Sequence, residues 1–260
     1  MRRIWSVSGA FCPGFSPPEP LLGREACTLM RPFQFYVVST PIGNLDDLSA
    51  RAMETLRSVD CILAEDTRAA RVLLERYGIR VSMRSYHDHN KAVVTPSIVR
   101  EIKEGKRFAL IADAGTPLIS DPGYYLVRRL IEEGISITAV PGASAITAAL
   151  VLSGLPPDRF TFYGYVPRKA GERDVSIREA AESPYTSIFY ESPHRLIATL
   201  EACSRILGAR QIVVARELTK LHEEILRGDA AELLAHFTAN HPRGEITLLV
   251  RGLGKRRCRP

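Results

Sequence analysis

From Phe35 onward, short runs rich in β-branched and aromatic residues alternate with stretches of helical periodicity, and this alternation restricts the fold more than any other property of the chain. Runs at 35–39 (FYVVS), 61–64 (CILA), 108–112 (FALIA) and 135–140 (ISITAV), with a further strand ending near Tyr86, are separated by helices predicted at about 49–58, 67–77, 97–104 and 123–133. A helix placed between two strands carries the chain back to the edge from which it set out, so the strands pair in parallel and the helices cover the sheet. The expected class is α/β, with a mainly parallel sheet.

A helix predicted at about 143–153 is followed by Ser153-Gly154-Leu155-Pro156-Pro157-Asp158, where turn formers interrupt the periodicity. A domain boundary is expected there, between an N-terminal α/β domain at 33–154 and a C-terminal α/β domain at 155–254. In the second domain, strands at 160–166, 186–192, 211–217, 224–228 and 245–250 are joined by helices predicted at about 194–206 and 229–238. Residues 1–32 show neither period and are dense in Pro and Gly, so they read as a disordered or non-native leader, with Met30 as an alternative start.

The net charge of +6 suggests nucleic acid at first sight, but Lys255, Arg256, Arg257 and Arg259 supply four of those units in a short basic tail at 255–260. Residues 1–32 add two more, which leaves 27 basic and 27 acidic groups in residues 33–254. Affinity for phosphate must then come from a local cluster or from the tail, because the folded part is electrically balanced. The five cysteines are widely spaced and never form C-x-x-C, which argues against a disulfide scaffold and against a zinc site. No apolar run approaches the roughly 18 residues that span a bilayer. A cytoplasmic protein without a membrane partner is expected.

Open α/β sheets bind ligands at the carboxyl ends of their strands, so the loops there carry the most information. Thr40-Pro41-Ile42-Gly43-Asn44 follows the first strand and joins a rigid Pro to a Gly that permits close approach of backbone to ligand. G-x-G-x-x-G occurs nowhere, which disfavours the common dinucleotide mode. The loop Asp113-Ala114-Gly115-Thr116-Pro117-Leu118-Ile119-Ser120-Asp121-Pro122-Gly123 is long, stiff and polar. It suits an adenosine or amino-acid moiety, with Asp113 available to an ammonium group. Its Asp121-Pro122 reads as an N-cap followed by Pro at N1. In Pro141-Gly142-Ala143-Ser144-Ala145, Ile146 stands where a nucleophile elbow needs Gly, so Ser144 either caps the helix or bonds a ligand. Glu65-Asp66-Thr67-Arg68 reads most simply as an N-cap with a local ion pair. His87 and His89, two residues apart in a loop, face solvent or RNA more naturally than a metal, and no metal site is expected.

Taken in order, TPIGN, AEDTR, SYHDHN, DAGTPLISDPG, VPGASA, SGLPPDRF, YESPHR and ARELTK resemble the motifs of the ribosomal RNA small-subunit methyltransferase I family, a branch of the tetrapyrrole methylases. The likeness runs from about Phe35 to Val250 and departs from the common pattern at Ala143, where relatives often carry Pro. It implies two α/β domains with S-adenosylmethionine in the cleft between them, a homodimer, and 2'-O-methylation of a cytidine in the decoding region of 16S RNA in the small ribosomal subunit. The cofactor residues implied are Pro41, Ile42, Gly43, Gly115, Thr116, Pro117, Ile119, Ser120 and Ser144, completed by Tyr190, Ala215 and Arg216, with Asp113 added from the loop chemistry above. Asn44, Asp66, Arg68 and Arg195 are expected on the acceptor side, with Glu65 and Lys220 as candidates for the catalytic base. Methylation of a corrinoid precursor or another small molecule, or RNA binding without chemistry, remain as alternatives.

Overall fold

The computed structural model describes residues 33–254, so the expectations for the leader and the basic tail lie outside the described residues. Strands β1 (Phe35–Val38), β2 (Cys61–Ala64), β3 (Ser82–Ser85), β4 (Phe108–Ile111) and β5 (Ile137–Val140) form one sheet in the order β3-β2-β4-β1-β5. Every pair in it is parallel. Period-2 alternation sends Cys61, Leu63, Phe108 and Leu110 toward helices α3 (Lys91–Lys103) and α4 (Tyr124–Glu132). Ile62, Ala64, Ala109 and Ile111 point the other way, toward α1 (Ala50–Ser58) and α2 (Thr67–Arg76). With both faces covered, the central strands must be apolar at every position, and β2 and β4 are buried throughout.

Local chemistry fixes most helix ends. The Ser49 hydroxyl accepts from the Ala52 amide at 3.1 Å to start α1. The Asp66 carboxylate accepts from the Arg68 amide at 2.8 Å to start α2, as the plain N-cap reading expects. Helix α3 begins six residues ahead of its expected position of 97 and runs through Pro96. Proline lacks the amide a helix interior needs, which is why the sequence suggests a later start. Burial of Thr95, Ile98, Val99 and Ile102 against the sheet holds the earlier turn in place.

The start of α4 corrects the sequence reading. Asp121 is not its N-cap: that position belongs to Gly123, at φ 136°. A Cβ on Gly123 would lie 2.7 Å from Leu110 Cδ2, so only glycine turns the chain here, and Asp121 stays in the loop.

The second sheet comprises β6 (Phe160–Tyr165), β7 (Thr186–Glu191), β8 (Ile212–Arg216), β9 (Glu224–Gly228) and β10 (Ile246–Val250), ordered β6-β7-β10-β8-β9. Only β6 and β7 are parallel; β10 runs against both β7 and β8, and β9 against β8. One face packs on α6 (Ala170–Glu182), α7 (Pro193–Leu207) and α8 (Ala230–Ala239). Helix α6 has no counterpart in the sequence reading, because its only buried residues, Ile177 and Ala180, make too thin a stripe to register a helical period. The opposite face, with Ile188, Val213, Ala215 and Leu249, packs on Ile146, Ala149 and Leu150 of α5 (Ala145–Ser153). Helix α5 therefore leaves the first sheet covalently and packs on the second, so packing changes sheets one helix before the boundary expected after Gly154. Among the described residues no helix is long and apolar enough to cross a membrane.

Candidate active site

Strands β1 and β4 are neighbours in the first sheet, but the chain leaves β1 toward the α1 face and leaves β4 toward the α4 face. Loops that part in opposite directions open a crevice at the carboxyl edge, and parallel sheets place ligands there. The floor is fixed by a two-way bridge. The Thr40 amide donates to the Gly115 carbonyl at 2.8 Å, and the Gly115 amide donates back to Thr40 at 3.1 Å. Gly115 sits at φ 80°, where an added Cβ would also come within 3.1 Å of Ile42 Cγ2. Thr116 is tied down by Ser39, Oγ to Oγ1 at 3.0 Å, and donates to the Ala143 carbonyl at 3.1 Å.

A cavity of about 390 Å³ opens above this floor and is closed on its far side by the second sheet. Eight of the residues expected to hold a cofactor line it: Ile42, Asp113, Gly115, Thr116, Ile119, Ser120, Ser144 and Tyr190. The other five stand behind the wall. Pro41, Pro117 and Ala215 are buried in the packing, Gly43 abuts the second-sheet loop, and Arg216 is engaged by Glu224 at 3.0 Å. The Ser144 hydroxyl makes no capping bond although Ser144 occupies the N-cap of α5, so it is free to face the cavity. Tyr165, Glu191, Glu245 and Thr247 also line the cavity and were not singled out from the sequence, and so does Asp121, which the sequence reading made a helix cap. One signal for Tyr165 was present: Gly164 inside a strand marks a bulge, and the β6 register does shift between Phe162 and Tyr165. An added Cβ on Gly164, at φ 74°, would lie 3.7 Å from Ser120 Oγ, so the bulge brings the second sheet close to the Asp113–Gly123 loop.

All four non-glycine residues with left-handed backbone among the described residues belong to two loops at this cavity. They are Leu118 and Ser120 on one side, at φ 72° and 65°, and Glu217 and Thr219 on the other, at φ 52° and 65°. Such conformations cost roughly 1–3 kcal/mol each and persist only where surrounding structure enforces them. The second of these loops is met directly by the loop after β1: the Asn44 amide donates to Thr219 Oγ1 at 3.0 Å, and a Cβ on Gly43 would lie 2.4 Å from Lys220 Cγ.

The cavity's electrostatics are acidic on the first-sheet side. Burial, followed by the charges of Glu65 and Asp113, pushes the Asp121 carboxyl up to about 7. Glu65 is raised by burial and then by Asp113 and Asp88. The Tyr190 hydroxyl is pushed up to about 12 by burial and then by Asp121. Tyr190 is braced edge-on by Phe162 and Tyr165, with ring centroids at 4.9 and 5.5 Å.

None of the expected acceptor-side residues lines the cavity itself. Glu65 and Asp66 adjoin it, since the Asp66 amide donates to the Asp113 carboxylate at 3.2 Å. Arg68 is exposed to solvent, with its Nε 3.5 Å from Asp66 Oδ1. Asn44 Oδ1 accepts from the Asp46 amide and so caps a short 3-10 turn. Arg195 is held by the buried Glu191 carboxylate at 2.7 Å and donates to the Val166 carbonyl at 2.8 Å. Lys220 lies between Glu217 at 2.8 Å and Glu245 at 3.1 Å. Burial opposes its charge, but these two carboxylates outweigh burial and hold the ammonium above the usual lysine range, which suits an orienting charge better than a base. Among the described residues no group of three His, Cys, Asp or Glu is placed to hold a metal ion.

A family model for tetrapyrrole (corrin/porphyrin) methylases matches residues 34–234. Ribosomal RNA small subunit methyltransferase I of Thermotoga maritima is 44% identical over 216 residues, which is 83% of this chain and 97% of that protein. The protein of the same name in Escherichia coli O157:H7 is 45% identical over 222 residues, 84% of this chain and 78% of that one. A crystal structure of diphthine synthase superposes with a TM-score of 0.66 at 14% identity, over 84% of this chain and 89% of that one, a likeness of fold alone. With so much of the chain matched at such identity, it belongs to the tetrapyrrole methylases and, within them, to the ribosomal RNA small subunit methyltransferase I family.

Proposed function

We propose that this chain transfers a methyl group from S-adenosylmethionine to the 2'-hydroxyl of a cytidine ribose in the decoding region of 16S RNA, acting on the small ribosomal subunit as a homodimer. The observation that carries this reading is the cavity at the switch point of the parallel sheet, walled by both sheets, in a chain about 45% identical to proteins named as small-subunit RNA methyltransferases. Its volume of about 390 Å³ lies within the ~300–1,000 Å³ usual for small-molecule sites.

The wall suits this donor chemically. Apolar Ile42, Ile119 and Leu218 offer a surface for a flat base. Asp113 offers a carboxylate to a cationic centre, and Ser144 offers an unengaged hydroxyl. The close bridge at Gly115 lets backbone come up to the ligand without a side chain between them. When bound, S-adenosylmethionine supplies an electrophilic methyl on a sulfonium centre that departs as a neutral thioether, so neither a metal nor a covalent enzyme intermediate is required. The protein's part is to orient the acceptor oxygen, exclude water and receive a proton. Tyr165 and Tyr190 narrow the second-sheet side, and the Lys220 ammonium fixes Glu245 at the rim.

A corrinoid-precursor acceptor is less well served, since the wall adjoining Glu65, Asp113 and Asp121 is charged rather than apolar. An RNA-binding factor without chemistry would have no need of a donor cavity, so calorimetric binding of S-adenosylmethionine separates that reading. The direct experiment incubates the purified chain with labelled donor and small subunits from a strain lacking the modification, then maps the label by mass spectrometry. Label on a cytidine ribose is expected. Label on a base, or none, overturns the proposal, and light scattering tests the dimer.

A further inference from the structure

Building on the methyl-transfer reading above, we propose that Asp121, rather than Glu65 or Lys220, is the catalytic residue that accepts the proton of the acceptor hydroxyl. Three features of its setting support this. Asp121 lines the cavity, whereas Glu65 and Lys220 do not. Among the described residues its carboxylate accepts no hydrogen bond and pairs with no cation, while the neighbouring carboxylates are committed: Asp113 accepts from the Asp66 amide at 3.2 Å, and Glu191 is saturated by Ser192, Thr199 and Arg195. The backbone that presents it is held in place, with Ser120 at φ 65° on one side and the obligatory turn at Gly123 on the other.

An uncompensated carboxylate at a half-buried position is a better proton acceptor than one in water, because burial disfavours its charged form. Asp121 is pushed up to about 7 by burial and then by Glu65 and Asp113, which places it where a base working at neutral pH is most effective. Its surroundings are defined on every side. Glu65 follows β2, Asp113 follows β4, Tyr165 and Tyr190 face it from the second sheet, and Glu245 lines the same cavity. No arginine or lysine competes for it among these groups, and both tyrosine hydroxyls are held protonated, Tyr190 most firmly. In the reaction the acceptor oxygen forms a bond to the methyl carbon while its bond to hydrogen breaks. The proton passes to the Asp121 carboxylate, and the electron pair of the broken carbon–sulfur bond stays on sulfur. One anion and one cation become two neutral groups, so charge balances without any further reactant.

The test combines D121N, D121E and E65Q with three measurements on the full chain. These are single-turnover methylation of small subunits against pH, calorimetric affinity for S-adenosylmethionine, and the number of protons released when that donor binds at pH 7. Wild type is expected to lose rate as pH falls below neutral and to release a fraction of a proton when the donor's positive charge enters the cavity. D121N should abolish both the pH limb and the proton release, slow turnover ~100-fold or more, and change donor affinity by less than tenfold. D121E should restore part of the rate, and E65Q should shift the limb to lower pH by removing a neighbouring charge. The proposal is overturned if D121N keeps the limb, if its affinity and rate fall equally, or if E65Q rather than D121N erases the limb. A wild-type chain that labels no ribose would instead sink the methyl-transfer reading itself, whatever the proton counts show.

Discussion

Asp121→Asn is expected to stabilise the ligand-free protein in alkaline solution and to do so progressively less as the solution is acidified. The carboxyl moves from an ordinary value of 3.8 to about 7 on folding, about three units, and each unit is worth about 1.4 kcal/mol. That sets a ceiling of about 4 kcal/mol on the cost of carrying the charge into the fold, reduced to about 2 kcal/mol because the half-buried group is still screened by solvent. The sign follows from proton counts. Between pH 3.8 and about 7 the folded chain binds more protons at this site than the unfolded chain, so stability is greatest below 3.8, falls as pH rises through this window, and levels off above it. Asparagine carries no charge at any of these values. Urea unfolding of wild type and D121N at pH 5 and pH 8.5 measures the difference, and comparing two pH values cancels any purely steric effect of the amide. The advantage of D121N should grow by about 1–2 kcal/mol from the lower pH to the higher. A difference that stays constant, or shrinks, would refute the claim that this carboxylate is held at a cost.

Three other substitutions test the remaining walls. Thr116→Arg replaces a side chain bonded to Ser39 and to the Ala143 carbonyl on the cavity floor; donor affinity should fall at least ~100-fold with circular dichroism unchanged, and calorimetry showing intact affinity would remove Thr116 from the site. Lys220→Met withdraws the ammonium between Glu217 and Glu245; single-turnover methylation should slow about tenfold or more while donor affinity drops less, and equal losses would argue against a role in turnover. Glu191→Ala strands Arg195, the Ser192 amide and the Thr199 hydroxyl around a buried gap; denaturant unfolding should report a loss of about 3–5 kcal/mol, and a loss under about 1 kcal/mol would show that the pair contributes little.

Much of the first sheet was legible because each of its strands is a short apolar run followed by a loop with its own punctuation. CILA and FALI are apolar at every position because helices cover both faces, and such runs stand out from their polar surroundings. Helix α6 was not legible, since two buried residues in thirteen leave no stripe to count. Nor was the early start of α3, because tertiary burial outweighs the local cost of Pro96. At the site, the loops of the first sheet announced themselves through Gly, Pro and Asp, and Ile42, Thr116, Ser120 and Ser144, assigned to the cofactor through the family resemblance, line the cavity. Glu245 and Thr247 were hidden, because they sit at the start of an antiparallel strand whose approach to the cavity depends on how the two sheets meet. Asp121 was misread for a different reason. An Asp-Pro pair before a helix resembles a cap, and only the contact between Gly123 and Leu110 shows that the turn lies two residues later.

The position of α5 has a practical consequence for anyone who would divide this molecule. Cutting at Gly154, the obvious punctuation in the sequence, would give a first fragment ending in a helix whose Ile146, Ala149 and Leu150 have lost the sheet they cover, and a second fragment with Val213, Ala215 and Leu249 laid bare. Both pieces would carry adhesive surfaces and be prone to aggregate. A reporter built from complementing halves should instead be severed within Pro141–Ser144, so that the helix travels with the strands it shelters.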